Sequence, residues 1–220
     1  DGRAESYHVE GEFGRDVVVK TNAIDVLRRE LRVRRRRPTP RSYVFVGGGV
    51  GDSYQPLEAH YGLARQALEM LLEVGLPAHV LTKSSLVERD LDLLCALHAR
   101  AGVILSMSLS SARDDLGASF EPGCARPSRR LETLRRAKQR GLPTGVYLMP
   151  VIPGVSDGPE LIDESLARCA EVGVDFVVCG GMTLKSGRQR THFLEVLARY
   201  APELVPEAAH GEGVGPLLLE

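Results

Sequence analysis

Residues 78–108 read AHVLTKSSLVERDLDLLCALHARAGVILSMS, and this stretch decides the fold. It opens on a short apolar run, Ala78 to Thr82, and closes on another, Val103 to Ser108, each of strand length. Between them Val87, Leu91, Leu94 and His98 recur at the three- and four-residue spacing of an amphipathic helix. Ser85 followed by Glu88 fits a capping box at the start of that helix, and Gly102 stands where it should stop. Strand, helix and strand at this spacing make one βα crossover, which brings the two strands together in parallel.

The unit repeats in both directions. Tyr43 to Gly47, Thr144 to Met149 and Val174 to Cys179 have the same strand character, and Leu57, Tyr61, Ala64, Leu68 and Leu71 form another helical stripe. Asp157, Pro159 and Glu160 supply an N-cap, a first-turn proline and a first-turn acid, while Gly75, Gly141 and Gly173 mark helix ends. An earlier unit pairs a strand at Asp16 to Lys20 with a helix at Ala23 to Val33 behind a Thr21-Asn22 cap. Six such units predict an α/β fold, a partial TIM-type (β/α)6 barrel of parallel strands. The expected domain is single, residues 1–220, with irregular ends at 1–16 and 205–220. No Gly-x-Gly-x-x-Gly opens a helix and no Gly-Lys-Ser/Thr loop is present, which turns the reading away from doubly wound nucleotide-binding sheets.

The chain has 220 residues, 43% hydrophobic and 26% charged, enough for a substantial core and too apolar for disorder. Twenty-eight Lys and Arg against 29 Asp and Glu give a net charge of -1, so no global attraction to nucleic acid or anionic lipid is expected. Apolar stretches such as Val103 to Leu105 fall far short of the roughly 20 residues of a membrane span. Neither a signal-peptide pattern nor a disulfide or zinc spacing among Cys95, Cys124, Cys169 and Cys179 is found, and a soluble, cytoplasmic protein without a membrane partner is the expectation. The chain opens on Asp1 rather than Met, as a piece of a longer protein would.

In a parallel barrel the chemistry lies at the C-terminal strand ends. Those ends carry Gly47-Gly48-Gly49-Val50-Gly51-Asp52-Ser53-Tyr54, Thr82-Lys83-Ser84, Ser106-Met107-Ser108, Met149-Pro150-Val151-Ile152-Pro153-Gly154 and Cys179-Gly180-Gly181-Met182. A long loop after the third strand carries Phe120-Glu121-Pro122-Gly123 ahead of Arg129, Arg130 and Glu132. Consecutive glycines allow a ligand close approach to the backbone. A lysine just past a strand can bind a carboxylate or form a Schiff base. Cys95 and Cys169 read as packing residues, and His60, His79, His98 and His192 as structural or solvated. Two basic blocks, one around Arg28 to Arg41 and one from Arg126 to Arg140, could meet phosphates.

On these residues the chain resembles the radical S-adenosylmethionine superfamily, in its spore photoproduct lyase-like branch. The resemblance runs from about Val17 to Glu203. It is carried by Gly49 to Glu58, Thr82-Lys83-Ser84 with Arg89 to Leu94, Ser106-Met107-Ser108, Phe120 to Gly123 with Arg129 to Glu132, and Met149 to Gly154. It implies a barrel holding a 4Fe-4S cluster through a Cys-x3-Cys-x2-Cys loop, with S-adenosylmethionine cleaved by one electron from a flavodoxin or ferredoxin. The resulting 5′-deoxyadenosyl radical would abstract hydrogen from a substrate, which in the lyase is a thymine dimer in DNA. Here the substrate stays open, with nucleic acid a candidate.

By the same resemblance Gly47, Gly48 and Gly49 meet the methionine amino group, and Lys83 and Ser108 the carboxylate and ribose region. Arg130 assists, Pro150, Val151 and Ile152 lie beside the adenine, and Asp52 and Tyr54 face substrate. Two departures follow. None of the four cysteines has the cluster spacing, so the cluster segment is expected upstream of Asp1 and the chain by itself is expected to be inactive. Gly49 stands where the lyase has a cysteine that returns hydrogen to the product, which points to another substrate. Two rival readings are a Schiff-base aldolase using Lys83 and a non-catalytic nucleic-acid-binding barrel using the arginine block at Arg34 to Arg37.

Overall fold

The computed structural model describes residues 16–34, 43–47, 51–184 and 187–210. Strands β1 (Val44–Val46), β2 (Ala78–Thr82), β3 (Val103–Leu109), β4 (Thr144–Val151) and β5 (Phe176–Gly181) form one sheet in sequence order, every pair parallel. Helix α1 (Ala23–Arg34) precedes the sheet, and α2 (Glu58–Tyr61) with α3 (Leu63–Val74) follow β1. A 3₁₀ turn at Ser85–Asp90 leads into α4 (Leu91–Arg100); α5 (Asp114–Phe120) and α6 (Pro127–Gln139) follow β3. Then come α7 (Pro159–Val172), α8 (Arg188–Tyr200) and α9 (Val205–His210).

The outer face of β2, β3 and β4 is covered by helices, whereas Phe45 of β1 and Val178 of β5 stay 49% and 38% exposed. Val80, Val103, Leu105 and Leu109 pack outward on Leu68 and Leu71 of α3, Leu94 and Leu97 of α4, and Leu134 of α6. Inside the curve of the sheet, the His79 ring stands 5.1 Å from Phe45, 5.8 Å from Tyr147 and 6.4 Å from Phe176. Its Nε2 lies 2.8 Å from Ser106 Oγ. These rings fill the lumen. Gly145 makes this possible, because a Cβ there would lie 2.2 Å from the Phe176 ring.

The sequence expectations need four corrections. Asp16 to Lys20 is in no ladder; its alternation suits a strand, but Val17 and Val18 stand 45% and 53% exposed with no strand partner. The cap before α4 is Ser84, in extended conformation and accepting from Leu86 N at 3.2 Å. Glu88 faces α6 instead. Asp157 accepts from Gly154 N at 2.9 Å, leaving Gly158 as the N-cap of α7. Residues 205–210, expected irregular, are helix α9.

Burial pushes the His79 imidazole below its ordinary value of 6.5. The folded state therefore binds fewer protons there than the unfolded chain, and stability present above pH 6.5 is lost as pH falls toward the folded value. Chemical denaturation between pH 7 and 5 should show this loss, and His79→Gln should reduce it.

A candidate cofactor cleft at the C-terminal rim

The rim starts with Gly47, at φ +101°, where a Cβ would lie 2.1 Å from Leu81 O. Only glycine lets the first strand leave the sheet so close to β2. Gly48, Gly49 and Val50 lie outside the described residues. Asp52 then ties this loop to the next. Its Oδ1 accepts from Tyr54 N at 2.8 Å and from Thr82 Oγ1 at 2.7 Å, and its Oδ2 accepts from Lys83 N at 2.7 Å. The carboxylate borders the cleft and, through these donors, fixes the backbone at Lys83.

Tyr54 is fully buried and does not face a substrate either. Its hydroxyl donates to Asp90 Oδ2 at 3.1 Å. Burial, then the Asp90 charge, push the phenol well above its usual range. Asp90 also accepts from Arg65 Nη1 at 2.6 Å and from Arg89 Nε at 3.0 Å. Burial opposes its ionisation, but the hydrogen bonds from Arg89, Arg65 and Tyr54 outweigh it and hold the carboxyl below the usual range. Glu58 accepts from Ala64 N at 2.9 Å and Arg65 N at 3.2 Å, satisfying first-turn amides of α3, which has no side-chain cap. Arg89 joins the same carboxylate at 2.8 Å. Sequence reasoning quoted Arg89-Asp90 without a role; in an amphipathic stretch these residues look like a solvated face.

Lys83, Ser108 and Pro150 come together. With Gly51, Thr82 and Gly181 they border a cleft of about 500 Å³ across the strand ends. Ser108 Oγ donates to Met149 O at 2.9 Å, joining β3 to β4. Pro150 falls in the ladder irregularity between Leu148 and Val151, where a residue without an N–H is tolerated. Val151 and Ile152 are each only 3% exposed. Val151 belongs to the main core and does not line the cleft; Ile152 lines a neighbouring chamber.

Lys83 Nζ pairs with Glu121 Oε1. Glu121 Oε2 lies 2.6 Å from Arg130 Nη1. Arg130 is fully buried and holds two carbonyls, Ala125 O at 2.6 Å through Nε and Ser108 O at 2.7 Å through Nη1. It is therefore a strut beneath the rim rather than a cleft residue, because α6 begins just before it and aims it under the loop. Glu121, quoted in the sequence but given no role, is the missed member of the site. It sits between a buried cation and a partly exposed one. If Lys83 turns to a ligand carboxylate, Arg130 still compensates Glu121.

Most cations of the second basic block are paired with carboxylates on the surface. Arg129 grips Glu88 at 2.5 and 2.8 Å, Arg136 joins Glu88 at 3.0 Å, and Arg135 meets Glu132 at 2.7 Å. Lys138 pairs with Asp175, and Arg140 with Asp92. In the first block, residues 35–42 lie outside the described residues. Cys169 is buried, and burial pushes its thiol up to about 11. Among the described residues no three His, Cys, Asp or Glu side chains group to hold a metal ion.

A family model described as the radical SAM superfamily matches residues 13–165, and the chain belongs to that superfamily. An uncharacterized protein of Mycobacterium tuberculosis is 34% identical over 207 residues, covering 94% of this chain and 59% of that protein. The chain thus spans about three fifths of this relative's length. In fold it is similar to Streptococcus suis SuiB bound to S-adenosylmethionine, with a TM-score of 0.60 and 15% identity over 89% of this chain and 43% of that one. It is also similar to a spore photoproduct lyase variant with bound S-adenosylmethionine and dinucleoside spore photoproduct, with a TM-score of 0.53 and 16% identity over 85% of this chain and 52% of that one. Those structures are partial TIM barrels, and the five parallel strands here match them. Among the described residues, no helix is long and apolar enough to cross a membrane.

Tyr54→Phe should lower unfolding stability by about 1.5–3 kcal/mol, the worth of a hydrogen bond to a charged group. It should leave S-adenosylmethionine affinity unchanged. Denaturant titration and calorimetry check the two halves.

Proposed function

We propose that the chain is the cofactor-binding barrel of a spore photoproduct lyase-like radical S-adenosylmethionine enzyme that abstracts hydrogen from a bound substrate. The observation that carries this reading is the rim cation Lys83, held by Glu121 and backed by Arg130, in a cleft at the strand ends of a superfamily barrel.

The residues present fit S-adenosylmethionine. The donor set offers an ammonium at Lys83 for its carboxylate, the Ser108 hydroxyl, and an apolar edge at Pro150. Gly47 keeps the first strand end free of a side chain. When bound, the cofactor supplies a 5′-deoxyadenosyl radical on accepting one electron, here from a flavodoxin or ferredoxin. The residues described do not fit the 4Fe-4S cluster that the superfamily implies, since no thiolate trio stands among them, and no step is assigned to it.

What the chain itself does is bind and orient. Asp52 fixes the Lys83 backbone, so the ammonium starts from a set position. Glu121 prevents Lys83 from collapsing onto solvent and gives it up to a carboxylate ligand without becoming an unpaired buried charge. Arg130 fixes the Ser108 carbonyl, and Ser108 in turn fixes Met149. The Schiff-base reading finds no second observation here, because Lys83 Nζ is engaged by a carboxylate.

Calorimetric titration tests this. Lys83→Ala should weaken S-adenosylmethionine binding roughly ten- to a hundredfold, the scale of a lost charged hydrogen bond. Glu121→Gln should weaken it less, because the cation remains but is no longer held. Unchanged affinity in Lys83→Ala would remove Lys83 from the site.

A further inference from the structure

Helix α1 is amphipathic in an uncommon way. Ile24, Leu27 and Leu31 recur at helical spacing on the side that packs against α3, and Ile24 and Leu31 are only 9% and 7% exposed. Asp25, Arg28, Arg29 and Arg32 fall at the i, i+3, i+4 and i+7 positions of a second stripe. All four are exposed. None borders the cleft at the strand ends or the chamber beside it.

The two arginine-rich helices of this chain treat their cations in opposite ways. On α6, Arg129 and Arg136 meet Glu88, Arg135 meets Glu132 and Lys138 meets Asp175, so carboxylates from elsewhere in the chain are brought to that helix. On α1 this does not happen. Among the described residues, Arg28 meets only Asp25 of its own helix, at 3.5 Å with both side chains more than half exposed, and no carboxylate of another element forms an ion pair with Arg28, Arg29 or Arg32. A pair so exposed holds its guanidinium weakly. The surrounding sequence sharpens the imbalance, since residues 28–41 hold eight arginines, one glutamate and no lysine in a chain of net charge -1. Near-neutrality overall conceals one strongly positive place.

The chemistry of the stripe selects its partner. It contains no apolar side chain, and a protein partner wants a desolvated apolar centre, whereas a phosphate backbone is held by cations. A planar guanidinium meets two phosphate oxygens at once, which suits arginine over lysine. A duplex offers one negative charge per about 1.7 Å of its axis, twice the density of a single strand. We infer that the outer face of α1 is a docking surface for the phosphate backbone of a nucleic-acid duplex, gripped by Arg28, Arg29 and Arg32 without regard to base sequence. The surface lies apart from the strand-end cleft and does not depend on the reading of that cleft as a cofactor site.

Fluorescence anisotropy of the 220-residue chain with a labelled DNA duplex of mixed sequence, at salt from about 50 to 200 mM, is the experiment. Affinity should fall as salt rises. Arg28→Gln, Arg29→Gln and Arg32→Gln together should flatten the logarithmic salt slope by about 2.7, the worth of three phosphate contacts at about 0.9 each. Each single Gln variant should remove about 0.9 of slope, so the result stands even where the triple variant loses its fold. Arg28→Lys, Arg29→Lys and Arg32→Lys together should keep most of the slope, because the charges remain. Arg135→Gln on α6, whose guanidinium is already paired with Glu132, should leave the slope alone. An unchanged slope in the Gln variants overturns the proposal. So does tighter binding of a single strand of the same length, equal binding of phosphatidylserine vesicles, which would assign the stripe to a membrane surface, or equal binding of polyglutamate, which would assign it to an acidic protein.

Discussion

Asp52 is the constraint on which the rim depends. The loops after β1 and β2 leave the sheet without a ladder to hold them, and backbone groups outside a ladder need partners from somewhere. One carboxylate supplies them, accepting from Tyr54 N, from Thr82 Oγ1 and from Lys83 N. Beneath it Asp90 and Glu58 gather Arg65, Arg89 and Tyr54. The result is a rim whose cation is positioned before any ligand arrives, so ordering it is not charged to binding.

The other half of the rim is held by a different device. Arg130 is fully buried yet touches two carbonyls and a carboxylate, so its charge is compensated on Glu121 while its donors fix the end of β3. Glu121 then presents its second oxygen to Lys83. A buried carboxylate between two cations tolerates the loss of one; a simple pair would not. This is the physical reason a lysine serves at the exposed end and an arginine at the buried end.

Much of this was legible in the sequence, and the parts that were not have a common cause. The strands from Tyr43 onward and the helices between them followed from apolar periodicity, because burial on both faces of a parallel sheet leaves a continuous apolar signature. Asp16 to Lys20 carried the same signature without a neighbour to pair with, and pairing is not encoded locally. Placing chemistry at strand ends singled out Lys83, Ser108 and Pro150, which border one cleft. The rule could not say which side chains turn inward: Tyr54 and Val151 turn into the core, and Arg130 passes under the loop. Glu121 lay in a quoted motif, but only the fold reveals that its two oxygens reach Lys83 after β2 and Arg130 on α6. Likewise the sequence shows the cations of α6 and its C-terminal end but not the carboxylates Glu88, Glu132, Asp92 and Asp175 that the fold places beside them.

The packed rings of Phe45, His79, Tyr147 and Phe176 stopper the lumen below the cleft. Among the described residues this turns the barrel into a cup rather than a tube. The lining of the cleft above them comes from the strand ends, so its shape is set by the loops that carry Asp52, Lys83 and Pro150.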